Sequence, residues 1–334
     1  MDESTVTIEP IKKPIYTFSK RKQISVLLGC ICVFLFFQIF VGSITEFETP
    51  QIIEIKQGQS LSRIAQNLKE AEVVSSSSLL SAMVILQNGE SRIISGVYSF
   101  ERQLGALTLA KRLLKGQTNV KALKVTFPEG FTVRLMADRL KEIIPHFDVE
   151  SFVNDAKPFE GFLFPDTYFF LPTITPEEVI QKMLETFWQK GTEAFGFEKV
   201  DDISKSPMYS QIILASIIEE EVQTLEDKKL VADLFLRRMK IGMPLQADST
   251  LAYVTGRDSL SLTMDDLKME NAYNSYKNKG LPPTPISNPG LESIEAVLNP
   301  TPNKYLYFLT DKEGKVYYAK TFDEHKKNKA KYLN

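Results

Sequence analysis

From residue 24 to residue 44 the chain is apolar except for Ser25, Gln38 and Ser43. A helix rises about 1.5 Å per residue, so a run of this length can span the hydrocarbon core of a bilayer. Lys12, Lys13, Lys20, Arg21 and Lys22 precede the run, and Glu46 and Glu48 follow it. The positive-inside rule therefore sets the N-terminus in the cytoplasm and the body of the chain outside, on the cytoplasmic (inner) membrane. The run is longer than the apolar part of a cleaved leader, and Val41-Gly42-Ser43 is a poor small-x-small cleavage site. Both points favour an uncleaved single-pass transmembrane helix over residues 23–45. A buried core helix fits badly with charges clustered on the flanks of so long a run. Residues 1–22, with Pro10, Pro14 and many charges, read as a short disordered cytoplasmic tail.

Beyond the anchor the period changes. Ile52-Ile53-Glu54-Ile55-Lys56 alternates as a strand does, Gly58 turns the chain, and Ser60 caps a helix with Leu61, Ile64, Ala65 and Leu68 on one face. The same grammar recurs in Leu123-Lys124-Val125-Thr126-Phe127, Gly130, and Thr132 capping a helix with Val133, Leu135, Met136 and Leu140. Residues 60–70 align with 132–142 at Ala, Leu, Lys and Glu, which reads as an internal repeat. Between the copies, Ser75 to Ser78 begins a helix, 96–100 is strand-like, and 108–115 is helical with a stop at Gly116. Residues 50–145 thus form a small α+β region. Such strand-helix units resemble lysin-motif modules, which bind peptidoglycan glycan; a spacer of the same fold without a ligand is the alternative.

Residues 146–334 read as a second domain, mainly helical plus irregular. Its segment 160–170 is aromatic-dense and punctuated by Gly161 and Pro165, so a loop or irregular strand is expected. Pro176 starts an amphipathic helix running to about Gln189. Ser206-Pro207 is read as a further helix start, with Ser as cap. The expected class is α+β throughout.

Composition narrows the chemistry. At 334 residues the chain exceeds one ordinary domain. A formal net charge of -2, with no dominant Lys/Arg run, argues against a nucleic-acid partner. Cys30 and Cys32 both lie in the apolar run, so the body has no thiol nucleophile, disulfide framework or Cys-based zinc site. His146 and His325 stand far apart without metal-ligand spacing, which leaves a Ser-His-Asp triad and a His-rich metal centre poorly supported. Chemistry is therefore expected from carboxylates, with no cofactor and no metal.

The carboxylates gather after residues 212–218, a stretch apolar nearly all round and so expected to be buried. It runs into Glu219-Glu220-Glu221. Successive helical residues differ by about 100°, so the three carboxyls cannot share one face. Ala215 and Ser216, one turn below Glu219, are small enough to leave room for a substrate. Desolvation, the like charges of Glu220 and Glu221, and the helix dipole should all raise the proton affinity of Glu219. A helix stop near Gln223 is consistent with Thr224-Leu225-Glu226-Asp227, a capping box for the next helix. A carboxyl kept protonated is what a general acid needs to protonate a leaving glycosidic oxygen. On spacing alone, a solvated acidic helix end is the competing reading.

Residues 214–221, with 237–250 after them, resemble the endolytic murein transglycosylase (YceG-like) family. Phe164-Pro165-Asp166-Thr167-Tyr168, Ala272-Tyr273-Asn274-Ser275-Tyr276, residues 280–286, Asn288-Pro289-Gly290 and Tyr305-Leu306-Tyr307-Phe308 fit the same pattern. The resemblance implies that Glu219 is the single catalytic Glu, and that Gln246 and Asp248 form a polar strip beside the cleft. Glu221 and Asp166 are further candidate substrate contacts. Where the family often has Glu-x-Glu-Thr, this chain ends on Val222, which leaves open the groups flanking the acid.

The implied reaction is cleavage of the MurNAc-GlcNAc bond by the muramic acid C6 hydroxyl, giving a 1,6-anhydro end on nascent glycan and terminating elongation. Peptidoglycan strands, the membrane and peptidoglycan synthases are the implied partners. A non-catalytic scaffold in a synthesis complex is one alternative. A two-carboxylate hydrolase using Glu221 or Asp248 is another. Asp166 and Tyr168 could equally fold their loop, Asn274, Tyr276 and residues 280–285 read as backbone-shaping, and His325 as solvated.

Overall fold

The computed structural model describes residues 20–257 and 261–333, so nearly all of the expected tail lies outside the described residues. The chain is α+β and divides into two compact units, residues 1–120 and 121–334.

In the first unit, α1 (Lys20–Phe36) continues through a π-helical turn, Phe37–Val41. Residues 24–41 have a mean hydropathy of 2.7 and none is buried. The helix is long and apolar enough to cross a membrane. Residues 24–37 are exposed, while the π-helical turn meets Thr108, whose Oγ1 donates to the Phe40 carbonyl at 3.0 Å. Strand β1 (Gly42–Ile55) pairs antiparallel with β2 (Gly96–Leu104), setting Ile53 opposite Tyr98. The strand begins ten residues earlier than its alternation predicts, at Gly42 rather than Ile52. Helices α2 (Leu61–Glu70), α3 (Ser77–Ile85) and α4 (Ala106–Lys115) complete this unit. Ser60 caps α2 by accepting the Arg63 N–H, as its pattern predicts. Ile64, Leu68, Leu80, Val84, Tyr98, Phe100, Leu109 and Leu113 make one core.

The division falls at residue 120, not 145. Strand β3 (Leu123–Thr126) pairs antiparallel with β4 (Thr167–Phe170), and Phe127 N–H donates to the Asp166 carbonyl at 3.0 Å. Helix α5 (Val133–Ile143), capped by Thr132, packs with α6 (Val149–Ala156) and α7 (Pro176–Phe195) around Val125, Met136, Leu140, Phe152 and Val179. Both copies of the repeat do form strand, turn and helix. The second copy finds its strand partner downstream, and a partner's position is not visible in a local pattern.

The remaining elements are α8 (Tyr209–Glu221), α9 (Leu225–Lys240), α10 (Asp248–Thr255), α11 (Met264–Lys268), α12 (Leu291–Leu298), the hairpin β5 (Tyr307–Thr310) and β6 (Val316–Ala319), and α13 (Phe322–Tyr332). Helix α7 has the full capping box, Thr175 with Glu178, and runs on to Phe195, six residues past the predicted stop. Ser206 does not cap α8. It closes a short 3-10 turn, and the helix starts at Tyr209. His325 is half-buried rather than fully solvated: its ring stacks on Tyr307 and Phe322, and burial lowers its proton affinity.

Candidate active site

Helix α8 is apolar all round because protein surrounds it: Ile212 through Ile218 are all buried, with α9, α10 and α12 packed against the helix. Val222 leaves helical geometry, and Thr224 starts α9 by accepting the Asp227 N–H. The tight turn between the two helices carries Lys228 back over the end of α8. Lys228 Nζ donates to Glu219 Oε1 at 2.9 Å, and the two side chains are only 3% and 8% exposed. Glu219 Oε2 accepts the Gly290 N–H at 2.9 Å. The carboxyl is thus shielded from solvent at the end of an apolar helix, and each of its oxygens accepts a hydrogen bond.

The space expected beside Ala215 and Ser216 is filled. Ser216 Oγ accepts the Ile286 N–H at 3.0 Å, and Ser287 Oγ donates to the Ser216 carbonyl at 3.1 Å. This lays residues 286–290 along α8 and brings Gly290 to Glu219. Asn288, fully buried, pins the segment from the other side. Its Oδ1 accepts from Gly161 and Leu163 N–H at 2.8 and 2.9 Å, and its Nδ2 donates to the Phe131 carbonyl and to Glu160 Oε1, both at 2.8 Å. Backbone bonds Gly130 N–H to Asn288 O and Asn288 N–H to Phe131 O join residues 130–131 to the same strip. Glu160 also accepts from Val133 N–H at 3.0 Å, and burial pushes it up to about 7 against these hydrogen bonds.

The Pro128-Glu129-Gly130 turn therefore belongs to this site. Glu129 is exposed overall, but its carboxyl covers Gly290, where an added Cβ would overlap it. Gly130, at φ +81°, lies against the Glu220 carboxyl, which a Cβ there would meet at 2.6 Å. Glu220 is exposed as a residue, but its carboxyl tip lies against Gly130, and desolvation there pushes it up to about 7, opposed by Ser287 and reinforced by Glu219.

The other sequence candidates lie elsewhere. Glu221 turns away from Glu219 and accepts from Ser249 Oγ at 2.8 Å; burial pushes it up to about 7 despite that bond. Asp248 is exposed and accepts from Tyr276 Oη at 2.5 Å. Gln246 is exposed, with its backbone at φ +52° and its N–H on the Ser275 carbonyl. Glu221, Asp248 and Gln246 thus share a strip along the start of α10. Asp166 binds the Thr167 N–H at 2.7 Å and Lys190 at 3.2 Å, so it folds its turn without sharing a partner with Glu219. Tyr168 is buried on the Phe164 carbonyl. A cavity of about 570 Å³ lined by Phe159, Ile180, Leu184, Trp188, Val200 and Ile203 contains none of these candidates.

The YceG-like family model matches residues 53–331. The chain belongs to the YceG-like family. It is 32% identical over 314 residues to an endolytic murein transglycosylase of Bacillus subtilis (strain 168), covering 86% of both chains. It is 28% identical over 324 residues to an endolytic murein transglycosylase of Streptococcus pneumoniae serotype 2, spanning 84% of this chain and 58% of that one. A crystal structure of a yceG-like protein from Listeria monocytogenes is 30% identical, with a TM-score of 0.52 over 85% of this chain and 99% of that one.

In this YceG-like chain, Lys228, Gly290, Asn288, Glu160 and Glu129 all escape sequence reasoning as site residues. Gly290 offers a direct check of the geometry. Its φ of -77° is open to alanine, so Gly290→Ala should fold, while its new methyl displaces the Glu129 carboxyl. A displacement of this kind typically costs roughly one to two decades in rate. Glycan-fragment release alongside a thermal melt checks it, and an unchanged rate would remove Gly290 and Glu129 from the site.

Proposed function

We propose that the chain is an endolytic murein transglycosylase, held at the membrane by α1, that cuts the MurNAc-GlcNAc bond of nascent strands and leaves 1,6-anhydro-MurNAc ends. The observation that carries this reading is the carboxyl of Glu219, shielded from solvent and held between Lys228 and the Gly290 N–H at the end of a buried helix. Glu219 protonates the leaving oxygen and then takes the proton of the attacking C6 hydroxyl. The named activity of the Bacillus subtilis and Streptococcus pneumoniae relatives supports it. The apolar helix supports an anchor with the body outside the cytoplasm, which would keep cleavage near the membrane and near peptidoglycan synthases, in keeping with a terminase of elongation. The first unit, with its strand-helix core, serves in this reading as the lysin-motif-like glycan holder.

A hydrolase needs two carboxyls placed across the scissile bond. Glu221 and Asp248 are engaged on the α10 strip instead, which counts against that reading. Mass analysis of the products from purified peptidoglycan decides the matter. Anhydro-ended fragments are expected, and reducing-ended fragments alone would overturn the transglycosylase reading in favour of hydrolysis.

A further inference from the structure

The end of the apolar helix is built into the first unit, with no linker between them. Strand β1 begins at Gly42, the residue after the π-helical turn Phe37–Val41, and pairs there with Leu104 of β2. Two glycines let the backbones close on each other at this point. A Cβ on Gly42, whose φ is +77°, would overlap the Gln103 carbonyl and the Gly105 nitrogen. A Cβ on Gly105 would meet the backbone of Phe40 and Val41 at 2.5 and 2.7 Å, so a side chain there forces the joint open.

Two polar contacts hold the same joint. Thr108 Oγ1 on α4 donates to the Phe40 carbonyl at 3.0 Å, and the Ser75 hydroxyl, just before α3, donates to Gln38 Oε1. The last carbonyls of a helix lack intrahelical donors, and such a carbonyl left unmet is costly where hydrocarbon replaces water. The apolar span, residues 24–41, is 18 residues long. At about 1.5 Å per residue it measures about 27 Å, close to the thickness of a bilayer's hydrocarbon core. Val41 then stands where the hydrocarbon ends. Each headgroup layer beyond it is only about 5–8 Å deep, so the residues that touch the last turn of the span lie inside that layer.

We propose that the first unit is seated on the lipid headgroups through the face around Ser75, Leu107 and Thr108, with the apolar helix as a rigid post and not a flexible tether. The inference rests on reading that helix as membrane-spanning. The chemistry of the face suits this occupant. Ser75, Ser76 and Ser77 are partly exposed and Thr108 is exposed, which offers hydroxyls to headgroup oxygens, and Leu107 between them is half-buried. Lys111, exposed one turn along α4 from Thr108, has a stem long enough to bring its ammonium to a lipid phosphate. A unit seated in this way confines the glycan it would hold to the membrane surface.

The test measures depth in the full chain, reconstituted in phosphatidylcholine vesicles that contain a lipid with a nitroxide on its headgroup. Both cysteines lie in the span, so Cys30→Ser and Cys32→Ser give a background for single labels. A fluorophore is placed at Leu107→Cys or at Gln57→Cys, an exposed position past the far end of the 14-residue strand β1. The headgroup nitroxide should quench the label at 107 at least about threefold more than the label at 57, because only the first lies in the thin headgroup layer. Equal quenching at the two positions, strong or weak, overturns the proposal. Gly105→Val should keep the protein in the vesicle fraction while removing the difference. If that variant does not fold, a short Gly-Ser insertion between Val41 and Gly42 should do the same, and an unchanged difference there overturns the rigid joint. A chain that stays out of the vesicle fraction removes the membrane-spanning reading itself, and this inference with it.

Discussion

Glu219→Gln should leave a folded protein whose release of glycan fragments falls by about two to four decades, the usual worth of general acid catalysis. The amide keeps the shape of the side chain, and its oxygen can still accept from one of the two donors, Lys228 Nζ or the Gly290 N–H. It can neither donate a proton as a carboxylic acid nor accept one from the attacking hydroxyl. The same change at Glu221 should cost little in rate, because that side chain is bound to Ser249 on the far strip. A Glu219→Gln protein that digests peptidoglycan at the original rate would sink the site assignment, and with it the enzyme reading in favour of a scaffold.

Lys228→Met should lower stability by about 3–5 kcal/mol, the usual cost of stranding one partner of a buried ion pair. The lysine side chain is 3% exposed and the facing Glu219 8% exposed, so water cannot replace the lost ammonium. Methionine fills much the same volume, which isolates charge from packing. The double variant Lys228→Met with Glu219→Gln should recover most of the loss, since neither charge is then left alone. Urea melts at mildly alkaline pH measure both effects. Equal stability of Lys228→Met and the parent would mean that the pair does not persist in solution.

Much of the site's scaffold can be read locally. The apolar run before the body, the caps at Ser60, Thr132, Thr175 and Thr224, and the buried helix ending on Glu219 all follow from residues three or four apart, where side chains and backbone meet whatever the rest of the chain does. Lys228 reads differently. A lysine in the first turn of a charged helix looks solvated, and only the fold of α9 back over α8 buries it on Glu219. Glu129 is hidden by the domain boundary, because a strand-turn-helix repeat gives no sign that its second copy will pair with β4.

The sequence by itself determined the class of elements, the apolar N-terminal segment, the family and the carboxyl at the end of α8, because hydrophobic period, capping and motif order are short-range properties. The tertiary structure alone decided the company that carboxyl keeps. Asn288 draws Gly290 and the Glu129 turn onto one strip while α9 delivers an ammonium from the other side. Those contacts join distant residues through buried hydrogen bonds and charge pairing, whose strength depends on exclusion of water, and that exclusion exists only once the core has closed.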